Sequence, residues 1–185
     1  MQRIVTSYKL MLDFYGMQLE NEVTGLISRS SKYATQYRNL CSTSFCPDLP
    51  DNASCRAPYA VSKSHLCDWL LRLPLLFVPS TGSSHNNLRI SRILKCLSEL
   101  GHEYLNYGFL LHILNEQSEH GHLNTSIIRS SMDRWWANCV RRQPERDWIN
   151  EKIARARDKD DDEPFVFTRE MYEAAINNWN NEGRF

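Results

Sequence analysis

Residues 84–101 read SHNNLRISRILKCLSELG. Leu88, Ile90, Ile93, Leu94, Leu97 and Leu100 recur at helical spacing, so one stripe of a helix is apolar. Arg89, Ser91, Arg92, Lys95 and Ser98 take most of the other face. Asn86 or Asn87 supplies an N-cap, its side-chain oxygen accepting from a free backbone N–H of the first turn. Gly101 stands where a C′ residue turns left-handed. The stretch predicts an amphipathic helix with one face buried against others, and hence an all-α chain.

The pattern continues toward the C-terminus. Residues 103–116 predict a helix apolar on more than one side, through Tyr104, Leu105, Tyr107, Phe109, Leu110, Leu111, Ile113 and Leu114. Thr125 caps a further helix with Ile127, Ile128, Ser131, Met132, Trp135, Trp136, Cys139 and Val140 inward. Pro144 suits the first turn of a helix over 145–157, with Trp148, Ile149 and Ile153 inside. The run DKDDDE within 158–167 reads as a solvated acidic linker. Thr168 opens a last amphipathic helix within 168–185, its apolar face made of Met171, Tyr172, Ala175, Ile176 and Trp179.

Toward the N-terminus, residues 1–15 predict a helix with Ile4, Tyr8, Met11 and Tyr15 on its inner stripe, Val5 and Leu12 beside them, and Gly16 at its end. Residues 20–29 read as a polar connection, and 31–40 as a short helix presenting Tyr33, Tyr37 and Leu40. Between 41 and 83 the composition shifts. Four cysteines (Cys41, Cys46, Cys55, Cys67) and five prolines stand there without either period. Cysteine spacings of five, nine and twelve positions supply no C-x₂-C pair for zinc. A binding loop is one reading. The preferred one is a retained intron translated in frame, since the codons for residues 73–80 can be almost wholly pyrimidine and Thr81-Gly82 can encode a splice acceptor.

SHNNLRISRILKCLSELG resembles the most characteristic segment of the conserved domain of the opioid growth factor receptor family, and RIVTSYKLMLDFYGMQL resembles the segment preceding it. The resemblance covers about 3–40 and 84–142. It implies a conserved domain over 1–157, interrupted by an irregular insertion at 41–83. The family carries aromatic-rich sequence before the first helix, so the expectation is a chain lacking that part. Function by resemblance is that of a non-enzymatic, receptor-like protein binding a peptide or protein ligand. In animals the family binds the peptide Met-enkephalin and is linked to the nucleus and to membrane fractions. No cofactor is implied.

Composition sets bounds on this reading. The 185 residues suffice for one domain with a core, and 22 basic against 22 acidic residues leave no net charge. A dominant attraction to nucleic acid is therefore not expected. The longest apolar run, 66–79, carries Asp68, Arg72 and two prolines and is too short to span a membrane, although peripheral association is compatible with the family. With no signal peptide visible, the six cysteines read as thiols of an intracellular protein.

Three constellations carry chemistry. His85, Asn86, Asn87, Arg89 and Arg92 surround a helix N-terminus, where free N–H groups and cations suit a carboxylate or phosphate; capping alone accounts for the asparagines. His112, His120 and His122, with Glu116 and Glu119, offer an alternative, a metal-binding or enzymatic site. Their spacing matches no HExxH-type motif, and a polar helix end with loop histidines is the plainer reading. Arg134, Trp135, Trp136, Arg141 and Arg142 mix cations with aromatics as base-stacking surfaces do, but the spacing sends the tryptophans to the core.

Overall fold

The computed structural model describes residues 2–41, 85–158 and 165–182, with only the backbone given for Gln2 and His85. The expected insertion, Cys41 apart, and most of the acidic run lie outside the described residues. The order is α1 (Gln2–Phe14), β1 (Met17–Leu19), β2 (Ile27–Arg29), α2 (Tyr33–Gln36) with a 3₁₀ turn (Tyr37–Asn39), α3 (His85–Glu99), α4 (Glu103–Ser118), and α5 (Ser126–Ser131). A π turn (Met132–Trp136) and a 3₁₀ turn (Ala137–Cys139) extend α5; α6 (Gln143–Arg157) and α7 (Arg169–Asn181) follow. The protein is predominantly all-α, as expected.

The fold is organised around α4. From Leu105 to Gln117 every residue of this helix is buried, because α3, α6, α7 and β2 each pack on a different side of it. Polar side chains fasten these neighbours. Asn106 donates to the Leu94 carbonyl (2.7 Å) and to Ser98 Oγ (2.6 Å), and Ser98 in turn donates to the Cys139 carbonyl. Tyr8 donates to the Leu105 carbonyl, so α1 is pinned to the same helix. The Tyr172 hydroxyl of α7 donates to Gly108 O and accepts from Ile27 N–H.

The principal departure from expectation lies at 17–29. Met17–Leu19 and Ile27–Arg29 form an antiparallel hairpin in the register Met17 with Arg29 and Leu19 with Ile27, not a polar connection. Its turn is held by Asn21, whose side-chain oxygen accepts from Val23 and Thr24 N–H. The hairpin turn then meets α4 backbone to backbone. A Cβ on Gly108 would lie 1.8 Å from the Gly25 carbonyl oxygen, so this contact requires glycine.

Helix α3 buries Asn87, Ile90, Leu94, Leu97 and Ser98, a stripe rotated from the one expected. Leu88 and Ile93 are half-buried, while Leu100 is 44% exposed. The physical reason is the partner: Ser98 faces Asn106 and the turn at Cys139, and this polar contact sets the rotation. Asn86 and Asn87 are inside the helix and so are not its N-cap. Gly101 behaves as expected, with φ of 77°, and the His102 N–H closes the helix end on the Leu97 carbonyl at 2.8 Å.

Thr168 caps α7 by accepting from Met171 N–H, and Thr125 caps α5 by accepting from Ile128 N–H. Replacing Thr168 with Ala should cost about 1 kcal/mol. Replacing exposed Leu100 with Ser should stay within about 0.5 kcal/mol. Urea denaturation of both variants checks the pair; a larger loss at Leu100 would restore the stripe expected from sequence.

Candidate functional site

The start of α3 is built into a clasp with α1 and the 3₁₀ turn. Asn39 Nδ2 donates to the Phe14 carbonyl (2.7 Å), and Asn86 Nδ2 donates to the Asn39 carbonyl (2.6 Å). Arg89 Nη1 reaches Asn86 Oδ1 at 3.4 Å. Burial pushes the Tyr15 phenol up to about 12, and the Arg89 charge works against that shift. Helix α1, whose Phe14 carbonyl anchors the clasp, exposes Leu10 (58%) and Phe14 (43%) one helical turn apart. The arrangement offers one cation, one amide and two apolar side chains to a ligand.

Of the five residues expected there, Asn86 and Arg89 share this surface. Asn87 does not: it is 2% exposed, and its carbonyl accepts from Trp136 Nε1 across the opposite side of α3. Its side-chain amide has no hydrogen-bond partner among the described residues. Arg92 is exposed a turn further along, and no described hydrogen bond or ion pair joins it to Asn86 or Arg89. His85 opens the helix.

The histidines form a different structure from a metal site. Arg29 of β2 grips Glu116 with two hydrogen bonds of 2.8 and 2.9 Å, and His122 Nδ1 lies 3.3 Å from both Glu116 Oε2 and Arg29 Nη2. Glu116 is buried near the end of α4, and the guanidinium covers its carboxylate where a metal would bind. Burial raises the Glu116 carboxyl, but the Arg29 hydrogen bonds together with the His112, Arg29 and His120 charges hold the group below its ordinary range. Burial pushes the His112 imidazole down to about 4, so it is neutral at pH 7, with Tyr37 Oη at 3.5 Å. His120 stacks on His122 instead of joining His112. Among the described residues no three His, Cys, Asp or Glu side chains are grouped to hold a metal ion.

The basic-aromatic segment also divides. Trp136 packs edge-on against Phe109 in the core, whereas Trp135 is 63% exposed. The π turn shifts the phase of the helix here, which corrects the expectation that both tryptophans face inward. Burial raises the Cys96 and Cys139 thiols, keeping them protonated at neutral pH. Sequence reasoning missed Arg29 and the pair Leu10 and Phe14. Ile27 and Arg29 share one face of the strand that follows a turn containing Asn21 and Gly25, a signal for a hairpin too short to read by period alone.

A model of the opioid growth factor receptor conserved region matches residues 1–46 and 76–172. The chain belongs to the opioid growth factor receptor family. The match runs through α6 and into the first turn of α7, beyond the span carried by the two sequence motifs. The mouse opioid growth factor receptor is 31% identical over 71% of this chain, and the human one is 31% identical over 62%. The rat protein is 30% identical over 71%. This chain aligns with only 14%, 11% and 16% of those receptors' own lengths, so it spans a small part of each. No solved structure matches. No helix among the described residues is long and apolar enough to cross a membrane.

Proposed function

We propose that this chain is a non-enzymatic, receptor-like protein that binds a peptide at the clasp between α1 and α3. The observation that carries the reading is the Asn39–Asn86 clasp, which ties the start of α3, with exposed Arg89 bonded to Asn86, to the end of α1, the helix that exposes Leu10 and Phe14. A peptide carboxylate pairs with Arg89, and an aromatic or aliphatic side chain of the same peptide covers Leu10 and Phe14. The relatives are named as receptors for an opioid growth factor, which makes an opioid-type peptide the first ligand to test. The nuclear or membrane-associated location follows from the family resemblance, and fractionation of cells expressing the full chain tests it.

Calorimetry with Met-enkephalin as free acid and as amide tests the binding mode. The free acid should bind about tenfold more tightly than the amide, as loss of a charge-assisted contact costs on the order of 1.5–3 kcal/mol. Arg89→Ala should abolish that difference. Equal binding of acid and amide would defeat the Arg89 anchor. Absence of binding to either would remove the opioid-type peptide as the ligand.

A further inference from the structure

Beside the clasp, on the other flank of α3, a second surface is built from residues that the peptide site does not use. Trp135 lies on the seam where the π turn meets α3: the Cys139 thiol is 3.4 Å from the Trp135 carbonyl oxygen and 3.7 Å from that of Ser91. Next to Ser91 on the exposed side of α3 stand Arg92 and Lys95, one helical turn apart. Arg134 adjoins Trp135 and is also exposed.

The neighbouring carboxylates are already engaged. Glu99 pairs with Arg141 at 2.5 Å, and Asp133 pairs with Arg157 at 3.3 Å. Among the described residues, Arg92, Lys95 and Arg134 have no carboxylate within ion-pair distance. An indole 63% exposed to water, next in sequence to Arg134 and across the Cys139 seam from the turn of α3 that carries Arg92 and Lys95, has the composition of an interface centre, where Trp and Arg carry much of the binding energy.

We propose that Trp135, with Arg92, Lys95 and Arg134, docks an acidic segment of another polypeptide. One apolar or aromatic side chain of that segment covers the Trp135 ring, and its flanking carboxylates pair with the three cations. Charge complementarity selects an acidic partner. The balance of 22 basic and 22 acidic residues gives the chain no long-range field for a polyanion. A single exposed indole also falls short of the row of stacking rings that single-stranded nucleic acid uses. The surface is independent of the peptide clasp, since the Ser91 carbonyl meets Cys139 of the 3₁₀ turn whereas Asn86 meets Asn39.

The test is selection of a displayed library of random dodecapeptides on the full chain, followed by fluorescence anisotropy with the enriched peptide. Acidic sequences containing an aromatic or large aliphatic residue should be enriched. Trp135→Ala and the double variant Lys95→Glu/Arg134→Glu should each weaken binding at least about tenfold, while circular dichroism melts stay near those of the unaltered chain. Arg89→Ala should leave this binding unchanged, which separates it from the clasp. No enrichment of acidic peptides, or enrichment that survives Trp135→Ala, overturns the proposal. Tighter, Trp135-dependent binding of an oligo-dT strand than of the selected peptide overturns it in favour of nucleic acid.

Discussion

Gly108→Ala is expected to be the most damaging single-methyl substitution in the chain, costing more than about 4 kcal/mol or preventing folding. In an exposed helix the same change would stabilise by about 1 kcal/mol, because alanine is the better helix former. Here the added carbon would stand 1.8 Å from the Gly25 carbonyl oxygen and 2.9 Å from its carbonyl carbon. Both are backbone atoms, so no side-chain rotation relieves the clash. Gly25 is equally confined, since a Cβ there would lie 2.6 Å from the Tyr104 carbonyl oxygen. Moving the hairpin turn away would also strain the Tyr172 hydroxyl, which bridges Ile27 N–H and Gly108 O. Gly101→Ala is the control. Its backbone is left-handed at φ of 77° but nothing lies within 4 Å, so it should cost only about 1–2 kcal/mol. Urea denaturation of the two variants compares them directly. A Gly108→Ala chain as stable as the Gly101→Ala chain would mean that the hairpin does not sit on α4 as described.

The elements legible in the sequence were those whose pattern is local. In α1, Tyr8, Leu12 and Tyr15 are buried at the spacing that predicted them, and the caps Thr125 and Thr168 act as their identity suggested. What escaped was set by partners distant in sequence. Three-residue strands are too short to show a period, and Gly25 owes its place to Gly108. The rotation of α3 follows from Ser98 meeting Asn106, so a serine assigned to solvent became a core contact and Leu100 turned outward. Trp136 is buried as expected, but Trp135 turned outward because a π turn does not keep the 3.6-residue phase. At the clasp, Asn86 and Arg89 were legible from their helix, whereas Leu10 and Phe14 lie off the inner stripe of α1. Asn39 joins the end of α1 to the start of α3. Arg29 and Glu116 lie 87 residues apart, and nothing in either local pattern couples them.

Arg29→Ala is expected to cost about 3 kcal/mol at neutral pH, the lower end for breaking a buried ion pair because Arg29 itself is 27% exposed. The loss falls mainly on Glu116, whose side chain is 2% exposed and keeps only His122 at 3.3 Å as a described ionic partner. Glu116→Gln should cost less, about 1–2 kcal/mol, because the stranded guanidinium can still reach water. Acid distinguishes the two. With Arg29 present the folded-state Glu116 carboxyl is held below its unfolded value, so its contribution is complete above the ordinary carboxylate range and is lost as the pH falls through the lower folded value. Without Arg29, burial dominates and raises that carboxyl above its unfolded value; protonation then relieves the buried charge. The stability gap between wild type and Arg29→Ala should therefore narrow as pH falls from 7.5 to 5. Neutral burial of His112, whose imidazole is held at about 4, destabilises both chains below about 6.5. Arg29 is one of the charges holding that imidazole down, so its removal narrows the gap in the same direction. The Glu116→Gln deficit has no buried carboxylate to relieve and should change less over this range. Urea denaturation at both pH values measures these differences. A gap for Arg29→Ala that stays constant or widens in acid would show that Glu116 does not depend on Arg29 for its charge.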